Sequence, residues 1–197
     1  MNSQDIIKDV LKDVEAFHIK DLPSIDLYMD QVTTYLNEKF AASKRYEDDK
    51  LLTKTMINNY AKSRLLPPPE KKKYSKDHVL TLILIYFFKS VVSINDVNSV
   101  IRPLLDETFH NEDLPLENFI QTFIDFVQSS DIMDPILDEA HKAEDMFKDL
   151  DSSNSEYMET LALIARLSYD VFIRKRIMEQ LIDSLPAPEE NNSKKEK

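Results

Sequence analysis

Apolar residues recur at helical spacing along most of this chain. Ile6, Ile7, Val10, Leu11, Val14 and Phe17 fall at i, i+3 and i+4 and predict an amphipathic helix over 3–18. Pro23 interrupts it. Ser24 or Asp26 then caps a second helix with a stripe of Ile25, Tyr28, Met29, Val32, Tyr35, Leu36 and Phe40. The acidic run Glu47-Asp48-Asp49 reads as a loop. Thr53 opens a short helix that must end before Pro67-Pro68-Pro69, because a residue ahead of proline disfavours the αR region. Lys71-Lys72-Lys73-Tyr74 follows as a basic arm. Ser75 caps the next helix, whose body Val79–Phe88 is apolar almost all round, the mark of a helix buried on several sides.

Ser93-Ile94-Asn95-Asp96 has the spacing of a capping box and starts a helix running to about Phe109. His110–Leu114 reads as the link between two units. Beyond it, helices are expected over 115–129, 135–149 and 155–185, with Pro115 and Pro135 in first turns and Ser153 with Glu156 as a capping box. The last of these, about 45 Å at 1.5 Å per residue, is long for a small domain and suits a packing or dimer element. Pro186 and Pro188 end it, and 187–197 is a polar tail expected to be disordered. The fold expected is all-α, with domain 1–109, domain 113–185 and the tail 187–197.

Composition sharpens this. The chain of 197 residues has no glycine, where average usage gives about 14. Phosphate loops and dinucleotide fingerprints are thereby excluded, since both need glycine for close backbone approach. Tight hairpins are disfavoured. Cysteine is absent, so thiolate chemistry is excluded and a reducing, cytoplasmic setting is expected. No basic n-region precedes an apolar run at the N-terminus, and Val79–Phe88 is half the length of a membrane span.

The net charge of −11 is unevenly spread. Residues 50–90 hold 9 basic and 2 acidic residues, net +7, while 1–49 and 91–197 carry net −5 and −13. A basic window in an acidic chain points to a nucleic-acid contact or to a solvated basic face.

The order of features decides between these. Thr53, Ile57, Tyr60, Leu65-Leu66-Pro67, a basic arm closing at Tyr74, a capped helix, then Ile94 and Val97 resemble the DNA-binding unit of the mercury-resistance (MerR-like) regulators over residues 50–108. That resemblance implies a helix-turn-helix or winged-helix module up to 109 followed by a C-terminal helical bundle, with a recognition helix over 53–64. Asn58, Asn59 and Arg64 depart from the family pattern, the last where the family has glycine. A left-handed Arg64 costs about 1 kcal/mol relative to glycine. A short wing without glycine favours an arm over a hairpin.

The whole chain, with Tyr46 to Tyr60, the triple proline and Lys71-Lys72-Lys73-Tyr74-Ser75, also resembles domain-of-unknown-function family 1836. That resemblance implies a Firmicutes-type regulator and brings no established activity or ligand.

If Met56, Ile57, Tyr60 and Ala61 face the core, then Lys54, Thr55, Asn58, Asn59 and Lys62 face outward. Asn can pair bidentately with adenine in the major groove. Lys and Thr suit phosphate contacts that fix register. Lys71, Lys72 and Lys73 would neutralise phosphate and give salt-dependent affinity. The candidate DNA contacts are therefore Thr53, Lys54, Thr55, Asn58, Asn59, Lys62, Lys71, Lys72, Lys73 and Tyr74. The expected function is a transcriptional regulator on double-stranded DNA, as a homodimer, with no cofactor and no catalysis. The runner-up is a helical protein–protein interaction module that has lost DNA binding, which Asn58 and Asn59 favour.

Other signals are weaker. Asp138, His141 and Asp145 share a helical face, with Asp134 and Glu144 nearby, and could hold a metal in a helical enzyme. An exposed acidic helix with Asp134 as its cap is the preferred reading. His18, His78 and His110 read as surface or cap-proximal. Arg174-Lys175-Arg176 should pair with acidic neighbours. Met133, Met146 and Met158, with Phe119, Phe123, Phe126 and Phe172, could line a pocket for a small-molecule effector or belong to core or dimer interface.

Overall fold

The computed structural model describes residues 3–14, 21–129, 133–149 and 152–186. Its elements are α1 (Ser3–Val14), β1 (Leu27–Tyr28), α2 (Met29–Lys39), a 3-10 turn (Ala41–Ser43), α3 (Lys54–Lys62), β2 (Lys73–Tyr74), α4 (Lys76–Lys89), α5 (Ile94–Thr108), α6 (Leu116–Gln128), α7 (Met133–Phe147) and α8 (Ser152–Asp183). The chain is mostly helical, as the 3.6-residue pattern requires. The expected tail 187–197, and residues 15–18 of the first helix with Phe17 and His18, lie outside the described residues.

α4 is the centre of the main core. Val79, Leu80, Leu82, Ile83, Leu84 and Ile85 are all buried, which accounts for its apolar composition on every side. α5 and α6 pack against it, and β2 leads into it. Val32 and Leu36 of α2, Ile57 and Tyr60 of α3, Leu65 and Leu66 after α3, and Val97, Ile101 and Leu105 of α5 complete this core. Leu116 and Ile120 of α6 belong to it as well, and Met178 and Ile182 near the end of α8 pack on its edge.

A second, smaller cluster joins Ile7 of α1, Ala140 and Ala143 of α7, and Leu163 of α8. Gln4 donates from Nε2 to Glu144 Oε1 at 3.0 Å across the α1–α7 contact. The first helix is thus packed with the last two, so the cores do not follow the order of the chain. α8 reaches both cores because its 32 residues extend about 48 Å.

The strands form one antiparallel pair, with Leu27 opposite Tyr74 and Tyr28 opposite Lys73. Glu70 and Lys73 form a further antiparallel bridge. Lys73 N donates to Glu70 O at 2.8 Å, and the two residues between them, Lys71 and Lys72, have φ of 47° and 67°. This is the backbone of a two-residue hairpin turn with both central residues left-handed, a position that usually takes Asn and Gly. The segment expected as an arm is therefore a tight turn closed by lysines. The strand pairing with β1 supplies the tertiary restraint that local preference does not.

Candidate nucleic-acid interface

α3 is fixed at its start by two devices. Thr53 Oγ1 accepts from Met56 N at 3.2 Å, making Thr53 the N-cap, as its position in the sequence implies. Asn37 of α2 then anchors the approach to α3. Its Oδ1 accepts from Leu51 N at 3.2 Å and Leu52 N at 3.4 Å, and its Nδ2 donates to Leu52 O at 2.7 Å. Asp49 orders the preceding loop, accepting from Arg45 N and Tyr46 N at 3.1 and 3.0 Å.

The helix buries Ile57 (0% exposed) and Tyr60 (7%), while Met56 and Ala61 are half-buried. Lys54, Thr55, Asn58, Asn59 and Lys62 are exposed together on the opposite face. Their exposure follows from the anchors, because with Ile57 and Tyr60 inward, i+1 and i+2 turn to solvent.

The end of α3 is a complete left-handed cap. Ser63 is the C-cap and Arg64 follows with φ of 60°. Arg64 N donates to Ala61 O at 3.1 Å and Leu65 N to Tyr60 O at 2.9 Å, which is the bonding of a Schellman terminus. Leu65 then enters the core beside Tyr60. Arg102 of α5 reaches across, donating from Nη1 to Arg64 O at 2.9 Å, and its Nε is held by Asp106. Asn37 and Arg102 thus clamp α3 from two other helices.

Two of the residues expected at the interface are placed otherwise. Tyr74 is 4% exposed and packs edge-on to the His78 ring at 5.4 Å, so its phenol is part of the core and not of the surface. Alternation in β2 is the reason: Lys73 points out and Tyr74 in. Burial also raises the Tyr74 phenol above its ordinary pKa. Lys54 forms an ion pair with Asp30 of α2, both side chains being well exposed. Such a pair contributes at most about 1 kcal/mol and leaves the ammonium available to a stronger anion.

Of the other cations between 50 and 90, Lys76 pairs with Glu117 at 2.7 Å. Lys50, Lys62, Arg64, Lys71 and Lys72 are exposed and form no ion pair among the described residues. Lys73 Nζ lies over the Tyr28 ring, 5.7 Å from its centroid. Outside this window many cations are neutralised within the chain: Arg102 by Asp106, Lys142 by Asp138, Arg166 by Glu139, Arg174 by Asp170 and Arg176 by Glu179. The Arg174-Lys175-Arg176 cluster is therefore largely answered by its own helix.

Below the turn, His78 caps α4 from within. Ser75 N donates to His78 Nδ1 at 3.1 Å, which leaves the ring proton on Nε2, facing Pro68 O at 3.4 Å. Ser75 Oγ also meets His110 Nε2 at 2.9 Å, and His110 N donates to Asp77 Oδ2 at 2.8 Å. Burial, more than any neighbour, lowers the pKa of His78.

The other candidates do not converge. Asp138 is taken by Lys142 at 2.5 Å, Asp145 lies 3.9 Å from Lys148, and Glu144 accepts from Gln4. Among the described residues no three His, Asp or Glu side chains gather as a metal site. Phe119, Phe123, Phe126, Met146 and Phe172 are exposed on the outer faces of α6, α7 and α8. No described helix is long and apolar enough to cross a membrane.

Asn37 and Arg102 were not legible as the residues that hold α3. Arg64 carried one signal, an arginine where the resembling pattern has glycine. Asn37 and Arg102 act through contacts 14 or more residues away in the chain, which no local pattern records.

No curated protein and no solved structure matches the chain. One family model does, over residues 17–123, a span that holds α2 to α5, the hairpin turn and the first half of α6. With more than half of its residues inside that match, the chain belongs to the family described as Domain of unknown function (DUF1836).

Proposed function

We propose that this chain is a DNA-binding transcriptional regulator whose α3 enters the major groove while the Lys71–Lys73 turn lies on the phosphate backbone. The observation that carries this reading is the outward face of α3. Thr55, Asn58, Asn59 and Lys62 stand free on a helix clamped from two sides, and unpaired lysines follow within ten residues. The order α2, loop, α3, tight turn and β2 paired to β1 supports the MerR-like winged-helix resemblance. Asn58 and Asn59 would read adenine edges, and the lysines would fix register without reading sequence.

Fluorescence anisotropy with genomic DNA fragments at several salt concentrations tests this. The expected result is submicromolar binding with a steep salt slope, lost in Lys71/Lys72/Lys73→Ala. Absence of binding at low salt would overturn it.

The same reading takes the protein as a homodimer joined through α8. Tyr157, Leu161, Ile164, Ser168 and Val171 are exposed at alternating spacings of four and three, the heptad pattern of a helix seam. Light scattering should give twice the chain mass, falling to the monomer in Leu161→Glu/Val171→Glu. A helical protein–protein interaction module remains the second reading, favoured by the exposed Phe119, Phe123 and Phe126 on α6. Loss of the DNA signal with retained self-association would select it.

A further inference from the structure

Four described residues other than glycine have positive φ: Arg64, Lys71, Lys72 and His110. Three are cations inside one stretch of nine residues. A left-handed backbone crowds Cβ against the neighbouring carbonyl, so glycine or asparagine is the ordinary occupant. His110 is compensated by internal bonds, with its N–H on Asp77 and its ring on Ser75. The side chains of the three cations give no such compensation. Their side chains are exposed, and none makes a hydrogen bond or ion pair among the described residues.

From this we infer that Arg64 is a further phosphate-contacting residue, one that trades fold stability for a fixed cation at the end of α3. The inference rests on the proposed DNA-binding reading. Glycine at position 64 would complete the same terminus with less crowding, since none of the bonds of that cap is made by the Arg64 side chain. The side chain is therefore unnecessary to the cap. It is nonetheless placed with care: Arg102 holds the Arg64 carbonyl, and Leu65 is anchored in the core on its other side. The guanidinium thus leaves from a backbone fixed on both flanks, at a position that lies between α3 and the Lys71–Lys72 turn along the chain. A planar fork at that point suits a phosphate oxygen pair. Lys71 and Lys72 repeat the arrangement, with cations in a turn where Asn-Gly would be more stable. Strained residues persist where their side chains have a task.

The experiment uses the full chain, thermal unfolding without DNA, and anisotropy with a bound DNA fragment across a salt series. Arg64→Gly is expected to raise Tm by about 3 °C. It should also weaken binding about fivefold near 0.15 M salt and reduce the salt slope by about one. Arg64→Gln keeps a β-carbon and removes the charge. It should lose the same binding and slope with Tm nearly unchanged. Lys71→Asn/Lys72→Gly should behave as Arg64→Gly, with about twice the loss of slope. If the wild type binds DNA and Arg64→Gly and Arg64→Gln match its affinity and slope, the assignment of Arg64 fails while the DNA reading stands. If Arg64→Gly lowers Tm, the side chain is structural and the assignment fails. If the wild type binds no DNA at any salt, the DNA reading fails and takes this inference with it.

Discussion

The stretch from Thr53 to Tyr74 and the helix α8 treat their charges and backbone in opposite ways. In the first, Lys54 pairs with Asp30, but Lys62, Arg64, Lys71 and Lys72 form no ion pair among the described residues, and three of these stand on left-handed backbone. In the second, Arg166, Arg174 and Arg176 each meet a carboxylate, and the backbone is uninterrupted helix from Ser152 to Asp183. The apolar residues are reversed as well. Ile57, Tyr60, Leu65 and Leu66 are inside, while Tyr157, Leu161, Ile164 and Val171 are out in solvent. One region satisfies its apolar groups within the chain and leaves its charges for something else. The other satisfies its charges and leaves apolar surface open. On the proposed reading, the first region meets a polyanion and the second a second copy of the chain.

The sharpest way to break this comparison is to truncate one apolar residue in each region. Ile57→Ala should destabilise the main core by about 2–5 kcal/mol, because a fully buried side chain leaves a cavity. Leu161→Ala, 45% exposed in the single chain, should change monomer unfolding by at most about 0.5 kcal/mol. A loss at Leu161 as large as that at Ile57, in dilute monomer, would mean α8 is not an open face. Denaturant titrations of both variants read the difference.

Next in size is the clamp on α3. Asn37→Ala removes the partners of Leu51 N, Leu52 N and Leu52 O at once and should cost about 1–3 kcal/mol. Thr53→Ala, which loses a single cap bond, should cost about 1 kcal/mol. Hydrogen exchange would show early opening at α3 in both variants and unchanged protection in α7.

pH separates the regions again. Burial holds His78 neutral, with its pKa below the ordinary 6.5. The unfolded chain therefore binds a proton that the folded chain refuses. The contribution is complete above about pH 6.5 and is lost as pH falls below it through the depressed folded value. Urea midpoints should drop between pH 7.5 and 5.5, and part of that drop should vanish in His78→Asn. An unchanged drop would remove His78 from the account.

The smallest effects belong to α8. Arg174→Ala and Arg176→Ala break exposed pairs with Asp170 and Glu179 and should each shift stability by less than about 0.5 kcal/mol.

Much of the local structure was readable. Thr53 as a cap, the box of Ser93 with Asp96, and the stop ahead of the prolines follow from groups within four residues of one another. The outward set on α3 followed from two inward anchors and the helical period. Element ends shifted by one to three residues, as at Met133 and Ser152, because helix termini are set by tertiary contacts as much as by the cap. The lysine turn and the burial of Tyr74 were not readable. Glycine statistics argue against the first. The second depends on which strand β2 pairs with, and the partner of Tyr74, Leu27, lies 47 residues away.

The sequence by itself determined that the chain is helical, that it holds no glycine, and that its positive charge is concentrated between 50 and 90. These are properties of composition and of neighbours one helical turn apart, where chain entropy imposes little cost. The second helix, by contrast, starts at Met29 after Tyr28 and not at a Ser24 or Asp26 cap. Only the tertiary structure decided that α1 packs against α7, that Asn37 and Arg102 hold α3 in place, that Tyr74 belongs to the core, and that lysines and an arginine occupy left-handed backbone. Each of these depends on a contact between distant segments. Such a contact can stabilise a local conformation that the residues themselves disfavour by about 1 kcal/mol, and no local pattern carries that term.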